Sequence, residues 1–457
     1  MRILGHPALF RLLVALVVLA PLPLGSNRPW AWSLLAVATG VLLLLWCLGI
    51  LAGQSNTPVP LRRLWPVALP FGLVVVWSAL QMGGAVSADW HHPLWGEAAQ
   101  TLGIALGGAV SVDPTMTATA ILRLLCYGGV FLLAVQLGRE RTRAREALIA
   151  VAIAGLFYAV YGLVAHLSGW ERILWLDKWA YIGDLTSTFV NRNAYGAYAG
   201  LGVLCCLALF FHALRERRHG KARRAYELAE TVLLRALPLL LGAVVVGSAL
   251  LLSHSRGAFV STGVGILALM MAVTTAGLVR PRVTLGVGFA LSGIGVAVLG
   301  VSGDGTVRRL ANVAQNGIAD VRPDLFRLTV DAIHDAPLTG HGLGAFLPAF
   351  RIYRDASLSA PTVWEFAHNV HLETAMDLGL PAAGLLYFAW AAALFVCLRG
   401  LVRRRRDQIH PSVALAAATL VAAHGAVDFS IQMPAVAVTT MLLLGVGYAQ
   451  SWRTDEK

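Results

Sequence analysis

Leu380-Pro-Ala-Ala-Gly-Leu-Leu-Tyr-Phe-Ala-Trp-Ala-Ala-Ala-Leu-Phe-Val-Cys-Leu398, followed at once by Arg399-Gly-Leu-Val-Arg-Arg-Arg-Arg406, is the pattern that decides the fold. The first part carries no charge and is close to the roughly 20 residues a helix needs to cross about 30 Å of hydrocarbon. In lipid, a run this apolar satisfies its backbone hydrogen bonds only as a helix. The second part is a block of arginines of the kind retained on the cytoplasmic side of a membrane.

The same unit recurs along the chain. Apolar runs span Leu9 to Leu24, Ala31 to Leu51, Leu64 to Met82, Ala118 to Leu137, Leu148 to Leu167, Ala194 to Leu214, Ala236 to Leu252, Ala258 to Val279 and Val283 to Val301. Beyond Leu398 come Val413 to Val427 and Ala435 to Ala449. The fold class expected is an all-α polytopic membrane protein with about 12 transmembrane helices. A composition that is 57% hydrophobic and 13% charged excludes a soluble protein of this length. The first two runs, with Pro21, Pro23 and Pro29 crowded between them, read as a helical hairpin rather than a cleaved signal peptide. All five cysteines fall inside apolar runs, so no disulfide framework is implied.

The formal charge of +12 is mostly topology. Arg62 and Arg63, the arginines from Arg139 to Arg145, the basic cluster from Arg215 to Arg235, Arg280 with Arg282, and Arg399 to Arg406 all occupy alternate loops. They fall on one side if the N-terminus is cytoplasmic, whereas residues 83–115 contain no Lys or Arg. Both termini are then expected in the cytoplasm. Residues 1–300 form spans one to nine, 301–379 form one large helical periplasmic loop between the ninth and tenth spans, and 380–457 form the last spans and a short tail.

The charges that this rule leaves over are the candidates for chemistry. Asn191-Arg192-Asn193 opens the sixth span and Ser255-Arg256-Gly257 opens the eighth, so each arginine sits beside exposed helical N–H groups and a positive dipole end, a combination suited to a phosphate or diphosphate. Membrane-surface anchoring is the simpler use of each arginine taken separately. Arg123, inside the fourth span, implies a buried partner or a function. In the large loop, Arg322 to Asp335 reads as a helix with Pro323 in its first turn, carrying Arg322 and Arg327. Asp331, His334 and Asp335 read as ion-pair partners rather than metal ligands. Gly340-His-Gly-Leu-Gly344 lacks the strand-and-helix context of a dinucleotide fingerprint and reads as a tight turn. His368 can accept a hydroxyl proton near neutral pH, with Asn369 to orient it or the substrate, and His371 follows one helical turn on.

Taken in order, several stretches resemble the bacterial O-antigen ligase and polymerase superfamily. They are Pro23-Leu-Gly-Ser-Asn-Arg-Pro-Trp30, Asn191-Arg192-Asn193, Ser255-Arg-Gly257, and Pro337-Leu-Thr-Gly340 with Gly342-Leu-Gly-Ala-Phe346. After these come His368-Asn369 followed by Leu372, Asp377 and Gly379, and His424 with Asp428-Phe429 and Pro434. Asp377 stands where such sequences usually have Glu, which keeps the carboxylate and shortens its reach.

The resemblance implies an inverting, metal-independent glycosyltransferase of the bacterial inner membrane with a periplasmic active site and no cofactor. Its donor would be a glycan on undecaprenyl diphosphate, and its acceptor a lipid A core sugar (ligase) or another lipid-linked glycan (O-antigen or exopolysaccharide polymerase). His368 and Asn369 are then the catalytic pair. Arg192, Arg256, Arg322, Arg327, Asn191 and Asn193 bind the diphosphate, and His371, Asp377 and Asp428 support them, with Asp428 pairing with an arginine or capping the next helix. The competing classes are a flippase of lipid-linked oligosaccharides and a non-catalytic subunit of a polysaccharide assembly complex. An eighty-residue loop on one side and the lack of paired broken helices argue against the flippase.

Overall fold

The computed structural model describes residues 5–83, 85–218, 232–287, 289, 321–358, 363–404 and 406–452. Over these residues the chain is almost wholly helical, with one two-residue antiparallel pair, β1 (Arg172–Ile173) and β2 (Leu176–Asp177). In order the helices are α1 (His6–Leu19), α2 (Pro29–Leu51), α3 (Leu61–Gln81), α4 (Pro93–Leu102), α5 (Pro114–Leu137), α6 (Arg141–Leu167), α7 (Arg192–Arg218), α8 (Leu237–Leu252) and α9 (Arg256–Thr275). They are followed by α10 (Arg322–Asp335), α11 (Phe346–Tyr353), α12 (Val370–Leu378), α13 (Leu380–Arg403), α14 (Ile409–Gly425) and α15 (Pro434–Gln450).

Eight of the described helices are long and apolar enough to cross a membrane, and α1, α14 and α15 are shorter apolar helices of 14, 17 and 17 residues. The expectation of an all-helical membrane protein is therefore met, and the number of about 12 spans stays an expectation, since the ninth run lies mostly outside the described residues. An apolar run and a helix are different things: the run from Leu9 to Leu24 continues through Pro21 and Pro23, where the helix has already ended at Leu19. At 1.5 Å per residue, 17 residues reach only about 25 Å. The α15 helix is buried on almost every face, so it is shielded by its neighbours rather than by lipid. The ninth expected span, Val283 to Val301, lies outside the described residues beyond residue 289, as do the boundary at 300/301 and the loop arginines Arg308 and Arg309.

The bundle is built around α7, α14 and α15, with α5, α6 and α9 packed on them and α3 paired with α13. Close approach rests on small residues. A Cβ on Gly155 of α6 would stand 3.0 Å from Gly202 Cα of α7, and one on Gly445 of α15 would stand 2.7 Å from the Phe131 carbonyl of α5. Where apolar side chains gain little by leaving lipid, such backbone contact supplies the packing.

The basic clusters around Arg63, Arg139 and Arg399 gather at one end. Arg139 donates to the carbonyls of Ala449 (2.9 Å) and Trp452 (2.8 Å), Arg141 pairs with Asp407 (2.7 Å), Arg11 with Glu146 (3.6 Å), and Arg63 and Arg399 lie over the Trp452 ring. Helix starts and ends that alternate in sequence thus share one end of the bundle, as the charge pattern required.

At the other end α10, α11 and α12 form a small helical unit with its own core of Leu325, Leu328, Ala332, Ile333, Phe346, Phe350 and Met376. Backbone joins this unit to the head of α13: His341 N–H donates to Met376 (2.9 Å), Gly342 N–H to Asp377 (2.9 Å) and Leu380 N–H to Pro337 (2.8 Å). Gln81, at the end of α3, closes the joint by donating to Thr339 (2.8 Å) and Asp377 (3.0 Å) and accepting from Leu343 N–H (3.1 Å). The segment from Gly340 to Gly344 is thus a tight turn, with φ of 66°, 108° and 75° at its three glycines. A Cβ on Gly340 would collide with the backbone of Asp377 and Gly379, neither of which can rotate away. Gly340→Ala is expected to cost roughly 2–4 kcal/mol, seen as a lowered thermal midpoint of the detergent-solubilised protein; an unchanged midpoint would show that the joint is not tight.

Candidate functional site

The site is assembled where α12 begins. Asn369 caps this helix: its side-chain oxygen accepts from the N–H groups of His371 (3.0 Å) and Leu372 (3.1 Å). The cap fixes the residue before it, and His368 is held at φ 52°, a left-handed conformation that costs a non-glycine residue energy and that persists only when its surroundings enforce it. Those surroundings are aromatic. The His368 ring stands edge-on to Trp364 (5.9 Å) and to Phe429 (4.9 Å), and Phe429 is stacked on Phe366 (4.2 Å).

His368 Nδ1 lies 3.6 Å from Asp428 Oδ2, an ion-pair separation longer than a direct hydrogen bond, with the imidazole 21% exposed and the carboxylate 3%. Nε2, on the far side of the ring, is the nitrogen directed away from this carboxylate. Asp428 follows α14 and is gripped by Asn193 Nδ2 (2.6 Å), Phe429 N–H (2.8 Å) and Ser430 Oγ (3.4 Å). Burial alone would push its carboxyl up, but the imidazoles of His368 and His424 and the Phe429 N–H outweigh burial and hold it below its ordinary value. Asp428 was expected to pair with an arginine or to cap the next helix; among the described residues its closest partner is Asn193, and it also accepts the N–H of Phe429 in the turn before α15.

Asn191, Arg192 and Asn193 divide three tasks at the start of α7. Asn191 Oδ1 accepts the N–H groups of Asn193 (2.7 Å) and Ala194 (3.2 Å), while its amide donates to the Tyr181 hydroxyl (3.2 Å). Arg192 donates to Asp184 (2.7 Å) and lies against the Tyr181 ring, with its buried Nε unpartnered. Asp184 also holds His254 (2.8 Å). Tyr181 reports the neighbourhood: burial, then the Asp428 carboxylate, raise its pKa, and Arg192 and Arg322 oppose them. Arg192, Arg322, Asp184 and Asp428 therefore share one electrostatic region. Arg256 is the first residue of α9, exposed, and the following Gly257 packs on the buried His424 ring four residues before Asp428.

Residues 241–387 match the O-antigen ligase family. This part of the chain is similar to O-antigen ligases. It runs from α8 into α13 and contains Arg256, Arg322, His368 and Asn369, whereas Asn193 and Asp428, which hold His368 from the other side, lie outside it. The match and the apolar helices mark a membrane enzyme of the O-antigen ligase or polymerase type. No curated protein matches the chain.

Within the part similar to O-antigen ligases the remaining expected residues separate. His371 has both ring nitrogens engaged, Nδ1 with the Tyr387 hydroxyl (2.8 Å) and Nε2 with the Ala422 carbonyl (3.1 Å), so it ties α12 to α13 and α14. Since a carbonyl only accepts, Nε2 carries the hydrogen. Asp377 is buried, accepts Gly344 N–H (2.7 Å) and has its other oxygen unpartnered. Arg327 lies on the exposed face of α10, bonded to Asp355 (2.9 Å) and Asp331 (3.4 Å), with Asp324 at 3.9 Å. No interaction among the described residues links it to His368, Asp428 or Tyr181. Arg123 lies over Trp32 and acts electrostatically on Glu373.

Glu373 is the residue that sequence reasoning missed. Fully enclosed on α12, it accepts Ala367 N–H at Oε2 (2.8 Å) and the Gln432 amide at Oε1 (2.9 Å). It thereby clamps the residue before His368 to the turn after Asp428. A carboxylate among Leu372, Met376 and Leu378 was the available signal. Burial is the main cause that raises the Glu373 carboxyl above its ordinary value; burial and then Glu373 raise Asp377 further. Folded protein thus keeps these protons at pH values where the unfolded chain has lost them, so their contribution to stability falls as pH rises from the ordinary carboxylate value to the raised folded value, about 7 for Glu373. Gln at 373 does not titrate; its oxygen can accept Ala367 N–H, and its NH2 meets Gln432 once that amide turns to present its unpartnered oxygen. The thermal midpoint of Glu373→Gln relative to wild type is expected to rise between pH 5 and pH 8; a difference independent of pH would overturn the assignment.

Proposed function

We propose that the protein is a glycosyltransferase that moves a glycan from a polyprenyl diphosphate, undecaprenyl diphosphate in a bacterial inner membrane, to a sugar hydroxyl on the outer face. The observation that carries this reading is His368 held on a buried carboxylate beside two helix starts that present arginines. The positive-inside pattern supports the sidedness, because the arginine clusters lie at the end of the bundle opposite His368.

In this mechanism Asp428 keeps the hydrogen of the His368 ring on Nδ1, so that Nε2 presents a lone pair. Nε2 takes the acceptor hydroxyl proton as that oxygen bonds to the anomeric carbon. The bond from this carbon to the diphosphate oxygen breaks on the opposite face, which inverts the anomeric centre. The electron pair leaves on the diphosphate, where Arg192, Arg256 and Arg322 and the positive dipole ends of α7 and α9 meet the developing charge. Cationic side chains then do the work that a divalent ion performs in other transferases. Asn369 acts by setting the His368 backbone, and the apolar faces of the spans accommodate the polyprenyl tail.

Purified protein with EDTA, an undecaprenyl-diphosphate-linked oligosaccharide and either lipid A core or further donor as acceptor tests this directly. His368→Ala is expected to lower undecaprenyl diphosphate release by about 10²–10⁴-fold with little change in donor affinity. Asp428→Asn, which retains the contact with Asn193 and removes the charge, is expected to lower kcat by on the order of 10²-fold. Undiminished transfer by His368→Ala would overturn the mechanism, and the acceptor consumed decides ligase against polymerase.

A further inference from the structure

The outer unit contains a cavity that the proposed chemistry does not use. Leu347, Phe350, Arg351, Arg354, Val363 and Trp364 enclose about 40 Å³. The first four recur at intervals of three, one and three residues, which puts them on one face of α11 and its C-terminal turn. Among the described residues the floor is apolar and aromatic, both polar lining residues are arginines, and none is acidic. Arg351 is exposed, while Arg354 is anchored, donating to the Leu358 carbonyl (3.3 Å) among its contacts. The nearby carboxylate Asp355 is already bonded to Arg327 and to Ser357 N–H (2.9 Å). At roughly 10–15 Å³ for each water-sized group, the space holds about three to four heavy atoms, the size of a carboxylate or a phosphoryl head rather than of a sugar ring.

The position of the cavity gives it a function. Trp364 forms its wall and also stands edge-on to His368, with ring centres 5.9 Å apart. The walls come from α11 and the segment before α12, and none from the starts of α7 and α9, where the diphosphate is placed. A group held here lies beside the base and apart from the leaving group, which is where the attacking sugar belongs. We propose that this cavity is an acceptor subsite that binds an acidic substituent, a carboxylate or a phosphate, on the acceptor glycan. Arg351 and Arg354 take the anion, since guanidinium geometry matches both groups, and the indole of Trp364 meets the apolar face of the ring that carries it. The subsite rests on the transferase reading for its role, and its occupancy does not depend on turnover.

Titration calorimetry of the full-length protein in detergent separates the two questions. The probes are a soluble tetrasaccharide containing glucuronic acid, its carboxyl-reduced counterpart, and a tetrasaccharide bearing a sugar phosphate. At least one acidic probe is expected to bind ten-fold or more tightly than the neutral one, and the tighter of the two identifies the substituent. Arg351→Gln together with Arg354→Gln is expected to abolish this preference without changing binding of the neutral probe. Arg351→Gln, at an exposed position, is expected to reduce the preference even if the double variant folds poorly. Equal binding of all three probes, or an undiminished preference in Arg351→Gln and in a folded double variant, would overturn the subsite. Failure of the transferase reading would appear separately, as wild-type protein that shows the acidic preference and releases no undecaprenyl diphosphate.

Discussion

The structure around His368 depends on one buried carboxylate. Asp428 is only 2% exposed, and a carboxylate removed from water to that extent persists as an ion only if its oxygens are satisfied by the protein. The groups that do so come from different parts of the chain. Asn193 is in the first turn of α7, Phe429 and Ser430 are in the turn that leads to α15, and His368 precedes α12. Satisfying a single charge therefore brings three helix termini together, and the imidazole is aimed as a consequence.

A second carboxylate keeps the arginine chemistry separate. Asp184 takes Arg192 and His254, leaving Asp428 to Asn193 and His368. Were Arg192 to reach Asp428 instead, the acid beside the imidazole would be neutralised by the cation proposed for the substrate. Two acids of opposite assignment at one end of the bundle would allow the proposed base and the proposed anion site to stand side by side. Glu373 adds the mechanical link, because its two oxygens hold the backbone before His368 and the side chain of Gln432 at a fixed distance from one another. These polar contacts rest on helices in close backbone contact, such as α6 on α7 at Gly155 and Gly202, so the frame that holds them has little freedom to drift.

Much of this was legible in the chain. Apolar length and arginine placement determined the class, the helical character and the common end of the basic loops, because lipid permits one backbone solution and one charge distribution. Local rules also carried Arg192 and Arg256 to the first turns of their helices, Arg322 to Asp335 to a helix with those bounds, and Gly340 to Gly344 to a tight turn. Apolar runs and helices parted where apolar sequence continued past a helix end, as at Pro21, and burial by neighbours rather than sequence explains how a helix as short as α15 is covered.

What tertiary structure alone decided is the pairing of polar groups far apart in sequence. Asn193 and Asp428 are separated by 235 positions, and Glu373 and Gln432 by 59. Nothing in either neighbourhood specifies the partner, since a hydrogen bond depends on position within about 3 Å and direction, and helix packing sets both. The same packing gave Arg327 to a cluster of surface carboxylates and His371 to Tyr387 and Ala422, although both had seemed placed for the site. Sequence by itself determined which residues could not be left in lipid; only the fold decided which of them faced one another.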